Sequence, residues 1–378
     1  MSGESDFVPA GRPNRGHPLK VGIVGCGAIA AQYLHTFDRL GEVQLVAVAD
    51  LERSRAETVA ASRGGVRVLE VEQLLTDDAV DLVLNLTIPA AHADVALAAV
   101  ASGKWVYGEK PLALGVAQAR TVVEAAGAAG VVLGCAPDTV LGTGIQTARK
   151  AVDDGLVGRV VSATATMTTP GHERWHPNPD FYYVPGGGPL LDMGPYYVTA
   201  LVTLLGPVTS VLGASSRTRD SRLIGSGPRV GERVPVSTDT HVTGILTHAS
   251  GALSTLVMTF DAVATRAANL EVHGEGGSLV VPDPNRFAGD VLLHTLDRPS
   301  WEVLDVSAGY RDAGRGYGVA DLARTPSGVE PRAGGTLALH VLDIMESLLA
   351  SAASGRSETI TTTTPRPAPV PLQSLPAH

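Results

Sequence analysis

Two cysteines in 378 residues are too few for a disulfide framework, and neither Cys26 nor Cys135 sits in a paired redox motif or a metal-ligand cluster. No metal is therefore expected. No uninterrupted apolar run approaches the ~20 residues that a helix needs to cross a bilayer, so no membrane partner is expected either. Positive charge is also scarce: 29 Lys and Arg against 38 Asp and Glu give a formal charge of -9, and no Lys/Arg block occurs. That balance argues against a nucleic-acid partner. The opening MSGESDFVPAGRPNRGHP has no apolar stretch of the kind a secretion signal carries, so residues 1–18 read as a flexible leader and the cytoplasm as the expected location. What is present is a globular composition, 44% apolar and 18% charged, on a chain long enough for two domains.

The first strong signal is LKVGIVGCGAIA, where an apolar strand runs into G-x-G-x-x-A with Gly25, Gly27 and Ala30 at the diagnostic positions. Glycine allows a tight turn and close approach of a pyrophosphate, and alanine still lets the next helix pack on the strand. The helix candidate AAQYLHTFDRL follows, and then a second strand, VQLVAVAD, ends on Asp50. The order makes a dinucleotide site of the turn, with Gly25, Gly27, Ala28 and Ile29 against the phosphates. Asp50 is placed to accept hydrogen bonds from an adenosine ribose, which favours NAD. Arg53 or Arg55 can instead meet a 2′-phosphate, so NADP stays open, and Asp50 can also cap the helix that follows it.

Strands and helices keep alternating as far as VVLGCAPD, the pattern of a parallel sheet covered on both faces, whose ligands bind beyond the C-terminal strand ends. NLTIPAAH and YGEKP fall there. Ile88 and Pro89 are candidate cofactor contacts. His92 either reaches the cofactor or cross-links the local backbone. Glu109 can position the nicotinamide or its ribose, and Lys110 can contact a substrate hydroxyl and help to move its proton. The alternative for this pair is a salt bridge beside a turn.

A helix over about 142–154 links to a different pattern: strand-like runs at 160–168, 208–218, 241–247, 252–260, 268–273 and 277–281, compatible with a substantial mixed or antiparallel sheet. Between the first two runs lies GHERWHPNPDFYYVPGGGP, rich in aromatic residues, proline and glycine. Trp175, Phe181, Tyr182 and Tyr183 can offer contact surfaces, and His172 and His176 can bond to hydroxyls; a packed surface loop is the alternative. In LLDMGPYYVTALVTLLG, Asp192 and Tyr196 are one helical turn apart on one side. Asp192 reads as an N-cap, which keeps Pro195 within the first turn, and Tyr196 as either a proton donor or a buried packing residue.

In its combined order this sequence resembles the Gfo/Idh/MocA family of nicotinamide-dependent oxidoreductases. The resemblance is carried by GCGAIA, Asp50, IPAAH, GEKP, the linking helix, DMGPY and the late GEGGSLVVPDPN and RPAPVPL segments, and it covers most of residues 19–372. It implies an α/β protein: an N-terminal Rossmann nucleotide domain, then a C-terminal α/β domain with a large, mostly antiparallel open sheet. The expected boundaries are 19–137 for the first, 138–358 for the second, and 359–378 for an extended tail packed on a domain or subunit surface. The family's lysine of EKP and its aspartate and histidine of D-x-G-x-H gather beside the nicotinamide, and the matching positions here are Lys110, Asp192 and Tyr196. Tyrosine at the histidine position departs from the motif. A phenol does not titrate near neutrality without a large shift, so Lys110 gains responsibility, and His176 is a candidate substitute from the preceding loop.

The function expected is reversible hydride transfer between NAD and a secondary hydroxyl of a sugar, cyclitol or related polyol. Lys110, Asp192 and Tyr196 are the catalytic candidates, and Trp175, His176 and Tyr183 join them in binding substrate. Two alternatives stand beside it: a cofactor-retaining glycoside-cleaving enzyme working through transient sugar oxidation, and a non-catalytic nicotinamide-binding sensor. The resemblance also implies a homo-oligomer formed through the outer face of the C-terminal sheet.

Overall fold

The computed structural model describes residues 18–326 and 328–375, so the expected leader lies outside the described residues except for Pro18, as do the last three residues of the tail. In chain order the elements are β1 (Leu19–Val24), α1 (Ala30–Phe37), β2 (Val43–Ala49), α2 (Arg53–Ala61), β3 (Arg67–Val68), α3 (Val71–Thr76), β4 (Leu82–Asn85), α4 (His92–Ala101), β5 (Trp105–Gly108), α5 (Val116–Ala129) and β6 (Leu133–Cys135). There follow α6 (Thr143–Asp153), β7 (Val160–Thr168), α7 (Gly188–Leu205), β8 (Val208–Ser216), β9 (Ser221–Leu223), β10 (Arg233–Pro235), β11 (His241–His248), β12 (Leu253–Thr259) and β13 (Leu270–Gly274). The last are β14 (Gly277–Val281), β15 (Leu292–Thr295), β16 (Glu302–Val303), α8 (Tyr317–Arg324), α9 (Gly335–Ser354) and β17 (Glu358–Thr359). Among the described residues they form two compact units, 18–141 with 310–339 and 373–375, and 142–309 with 340–372.

The first unit is a six-stranded sheet in the order β3-β2-β1-β4-β5-β6, parallel throughout. β4 (LVLN) and β5 (WVYG) are buried at every residue, which is why they read as continuous apolar runs rather than alternating ones. Stretch 310–339 also belongs to this unit, where the sequence suggests a single boundary near residue 137. It is held by long-range backbone bonds that leave no local pattern: Cys135 N–H to the Ala333 carbonyl at 2.9 Å and Tyr310 N–H to the Leu141 carbonyl at 3.0 Å.

The second unit is a nine-stranded sheet ordered β16-β15-β14-β13-β7-β12-β11-β8-β17. Its pairs are antiparallel except β7 with β12. Alternation sorts the faces. In β7, Ala163, Ala165 and Met167 are buried, while Ser162, Thr164, Thr166 and Thr168 point the other way and are half-buried. α9 lies on the buried face: a Cβ at Gly213 or Gly244 would fall 2.5 Å from Leu348, so only glycine lets the helix come this near. With a mean hydropathy of 1.4, α9 is apolar and long enough to span a bilayer. Here it is a core helix whose Asp343 accepts from the Thr361 and Thr362 N–H groups, each at 3.0 Å. Residues 359–372 of the tail thus pack on this unit, and Val370, fully buried, donates its N–H to Gln146.

One expectation is corrected. α7 begins at Gly188, not at Asp192, so Asp192 is no N-cap and Pro195 lies inside the helix. Gly188 takes a φ of +87° that only glycine adopts readily, and Pro189 then supplies the fixed φ that suits a first turn. Pro195 cannot donate to the Leu191 carbonyl, and the helix continues beyond it on the buried run Tyr196–Leu205.

Candidate active site

In the first unit the residues that could hold a dinucleotide come together at the C-terminal ends of β1, β2, β4 and β5. Gly25 has a φ of +98°, and a Cβ there would meet the Leu86 carbonyl at 2.6 Å, whereas a Cβ on Gly27 would meet nothing within 4 Å. One glycine makes the turn and the other leaves open space over it. Ala30, 2% exposed, starts α1, whose N-terminus has no side-chain cap. A helix N-terminus without a side-chain cap, beside a glycine-cleared space, fits a pyrophosphate. Ala28 is exposed and Ile29 half-buried on the same turn.

Asp50 follows β2 and does more than wait for a ribose. Its Oδ2 accepts the Cys26 N–H at 2.7 Å and its Oδ1 the Glu52 N–H at 2.8 Å, so the carboxylate fixes the glycine turn as well. Each oxygen keeps a further lone pair for a hydroxyl. Arg55 pairs with Glu52 at 2.7 Å, and Arg53 pairs with Glu57 at 3.0 Å and Glu70 at 2.7 Å. Both arginines that the sequence offers for a 2′-phosphate are thus engaged by carboxylates. Cys26 is no reactive thiol, since burial and the nearby Asp50 push its pKa up to about 11.

Ile88 is 70% exposed and Pro89 is exposed beside it. His92 takes the cross-linking role. It is buried, with Nδ1 2.6 Å from the Pro111 carbonyl and Nε2 3.0 Å from the Thr87 carbonyl, which leaves no ring nitrogen for a cofactor. Glu109 is buried too. Its Oε1 accepts the Tyr33 hydroxyl at 2.8 Å and its Oε2 the Lys110 N–H at 3.0 Å. The carboxylate thereby ties α1 to the end of β5, and burial, then the Glu109 charge, hold the Tyr33 phenol well above its ordinary range.

In the second unit the loop before α7 is built around a buried charge network. Arg222, 3% exposed, contacts Glu173 at 3.2 Å and bonds Asp261, and Tyr183 donates its hydroxyl to Glu173. Tyr183, expected to bind substrate, is fully buried with its hydroxyl committed, and burial followed by Glu173 raises its pKa. It anchors the loop instead. Gly171 shows how tight the packing is, because a Cβ there would sit 2.1 Å from Glu173.

That scaffold fixes His172. Its N–H donates to the Tyr183 hydroxyl at 3.1 Å, its ring lies 4.4 Å from Phe260 and 4.7 Å from Tyr182, and its Nε2 is 3.1 Å from Asp192 Oδ2. The histidine that joins Asp192 is therefore His172, not His176. His176 is half-buried among Trp175, Phe181 and Tyr182, with Nδ1 accepting the Asn178 N–H at 3.1 Å. Trp175 is 58% exposed on the same aromatic ridge. Tyr196 is buried on α7. The adjoining Tyr197 is a core residue whose hydroxyl meets Asp283 at 3.2 Å and Asn269 at 2.9 Å. Nothing in linear spacing singles out His172 from His176; only the turn at Gly171 does.

A parallel sheet with a glycine-cleared turn, joined in one chain to a broad sheet whose α7 and preceding loop bear a carboxylate–imidazole pair, is a two-domain dinucleotide-binding fold. Residues 19–136 match the oxidoreductase family NAD-binding Rossmann fold, and residues 145–280 match the Gfo/Idh/MocA C-terminal domain. The chain carries both domains of the Gfo/Idh/MocA oxidoreductases. It is 28% identical to a 1,5-anhydro-D-fructose reductase of Ensifer adhaerens over 90% of this chain and 98% of that protein. It is 26% identical to a D-xylose 1-dehydrogenase (NADP(+)) of Haloferax volcanii, over 89% and 98%. An NAD binding oxidoreductase of Klebsiella pneumoniae has the same fold, with a TM-score of 0.79 at 23% identity over 91% of this chain and all of that one.

Proposed function

We propose that the protein transfers hydride reversibly between NAD and a secondary hydroxyl of a sugar, cyclitol or related polyol. The observation that carries this reading is the partly buried Asp192 carboxylate held by His172 at the foot of an aromatic loop, in a chain whose other unit is a Rossmann domain. Oxidising an alcohol breaks an O–H and a C–H bond, so a cofactor must take the hydride while protein groups handle the proton. Bound NAD supplies the hydride acceptor. Lys110 and Tyr196 remove or return the hydroxyl proton in this scheme, and Asp192 fixes one of them and bonds the sugar. Trp175 and His176 offer the ring face and the polar atom that a sugar can rest on. Asp50, together with the engaged Arg53 and Arg55, supports NAD over NADP, since a 2′-phosphate would meet a carboxylate and two arginines already paired.

A homo-oligomer in the cytoplasm belongs to the same proposal. The strand register places Leu212, Ile245, Thr255 and Thr164 side by side on the sheet's outer face, with Leu253 next to them. Leu212 is 45%, Ile245 46% and Leu253 48% exposed, a surface suited to a second copy of the chain.

The test is to incubate the full chain with NAD or NADP and a panel of polyols and aldoses, one set deuterated at the carbinol carbon. Deuteride transfer to NAD supports the proposal. Binding of NAD without transfer across the panel would point to a sensor, and glycoside cleavage without net NADH to the cofactor-retaining alternative.

A further inference from the structure

The family motif places a histidine one turn after the aspartate, and here that position is Tyr196. The structure returns an imidazole to the same carboxylate from another direction. His172 opens a short turn, His172–Arg174, and reaches Asp192 Oδ2 with Nε2 at 3.1 Å. We propose that His172 is a positioning residue for Asp192, holding one carboxylate oxygen by an Nε2–H hydrogen bond so that the other is directed to substrate.

The imidazole has little freedom to do anything else. Its ring is packed by Phe260, Tyr182 and Trp175 at centroid distances of 4.4, 4.7 and 5.1 Å. Its backbone is pinned through Tyr183 to Glu173, and Glu173 to Arg222, which also bonds Asp261, so a buried network lies behind the contact. The second nitrogen settles the direction of the bond. Nδ1 is buried and has no hydrogen-bond partner. A proton there would leave a donor stranded in the protein, whereas a bare nitrogen leaves only a weak acceptor unmet. The proton belongs on Nε2, facing the carboxylate, and the bond is charge-assisted. An ordinary aromatic at 172 could fill the same space, so what histidine adds is this donor. Fixing a carboxylate to within a few tenths of an ångström matters because a displacement of ~1 Å at a reacting group can slow turnover by about a hundredfold.

The kinetic consequence rests on the proposed function, but the hydrogen bond does not, and the experiment separates them. Nitrogen-15 NMR of histidine-labelled full chain, without substrate, is expected to show His172 as the Nε2–H tautomer with a downfield bonded proton that moves upfield in Asp192→Ala. A His172 signal that is Nδ1–H, or that ignores Asp192→Ala, overturns the inference whether or not the protein turns over. In hydride transfer, His172→Phe keeps the ring packing and removes the donor. It is expected to lower kcat by about 10- to 100-fold with unchanged NAD affinity, while His172→Gln, which carries an amide N–H near the Nε2 position, recovers most of the rate. Loss of His172 in an Asp192→Asn background should add little, since the two act as one unit. Equal rates for wild type and His172→Phe, or failure of His172→Gln to do better than His172→Phe, also overturn it. If wild-type protein transfers no hydride at all, the proposed function fails and the NMR result alone decides the pair.

Discussion

Replacing Asp138 by asparagine should stabilise the protein at neutral pH and do almost nothing in acid. Asp138 is fully buried in the first unit, where its Oδ2 accepts the Gly316 and Gly318 N–H groups at 2.8 and 3.0 Å, while Oδ1 has no partner and neither has the buried Tyr107 hydroxyl beside it. Burial pushes its pKa from 3.8 up to about 6, against the opposing pull of Arg315 and the two backbone donors. The folded state thus holds this proton more tightly than the unfolded chain. The associated stability is fully present below pH ~4 and is lost as pH rises through ~6, after which folded protein carries an ionised, half-satisfied carboxylate. About two pKa units at ~1.4 kcal/mol each give ~3 kcal/mol, a large share of the ~5–15 kcal/mol of a typical domain. Asparagine keeps one oxygen for the two glycine N–H groups and carries no charge, so it imitates the protonated acid. Urea unfolding at about pH 3, 6 and 7.5 should show Asp138→Asn gaining on wild type from near zero to ~3 kcal/mol, and amide exchange at Gly316 and Gly318 should slow in the variant at about pH 7.5. A difference that stays flat with pH, or a variant less stable throughout, would refute the reasoning.

Three further outcomes are expected. Gly25→Ala forces a side chain onto the Leu86 carbonyl at a φ of +98° and should weaken NAD binding by about tenfold or more in calorimetry, with a lower Tm. Asp50→Ala removes an acceptor from both the ribose and the Cys26 N–H, so the ratio of NAD to NADP affinity should fall while sugar binding holds. Arg222→Met strands Glu173 and Asp261 in the interior and should destabilise the second unit by roughly 3–5 kcal/mol, seen as an earlier denaturation transition.

Much of the first unit could be read directly. Its strands are apolar runs, α3 opens on a capping box of Glu70 and Gln73, and the functions of Gly25 and Gly27 follow from what glycine permits within five residues of chain. The helix at Gly188 could not be placed as well, because Asp192 and Pro195 look like the start of a helix while the true start uses a left-handed glycine chosen by its neighbour Asp239. His92, Glu109 and Tyr183 look like binding residues in sequence. Each is taken up by a partner that lies far along the chain or on another element: the Pro111 carbonyl, Tyr33 and Glu173.

The sequence by itself determined the Rossmann turn, the run of strands in the second half, and the absence of histidine after Asp192. Those are matters of backbone freedom and periodicity, which local residues decide. Only the tertiary structure decided which histidine meets Asp192, that residues 310–339 belong with the first unit, and that Asp138 is buried with one oxygen unmet. These depend on packing between residues distant in sequence, and a buried charge or imidazole acquires its chemistry from what surrounds it rather than from its place in the chain.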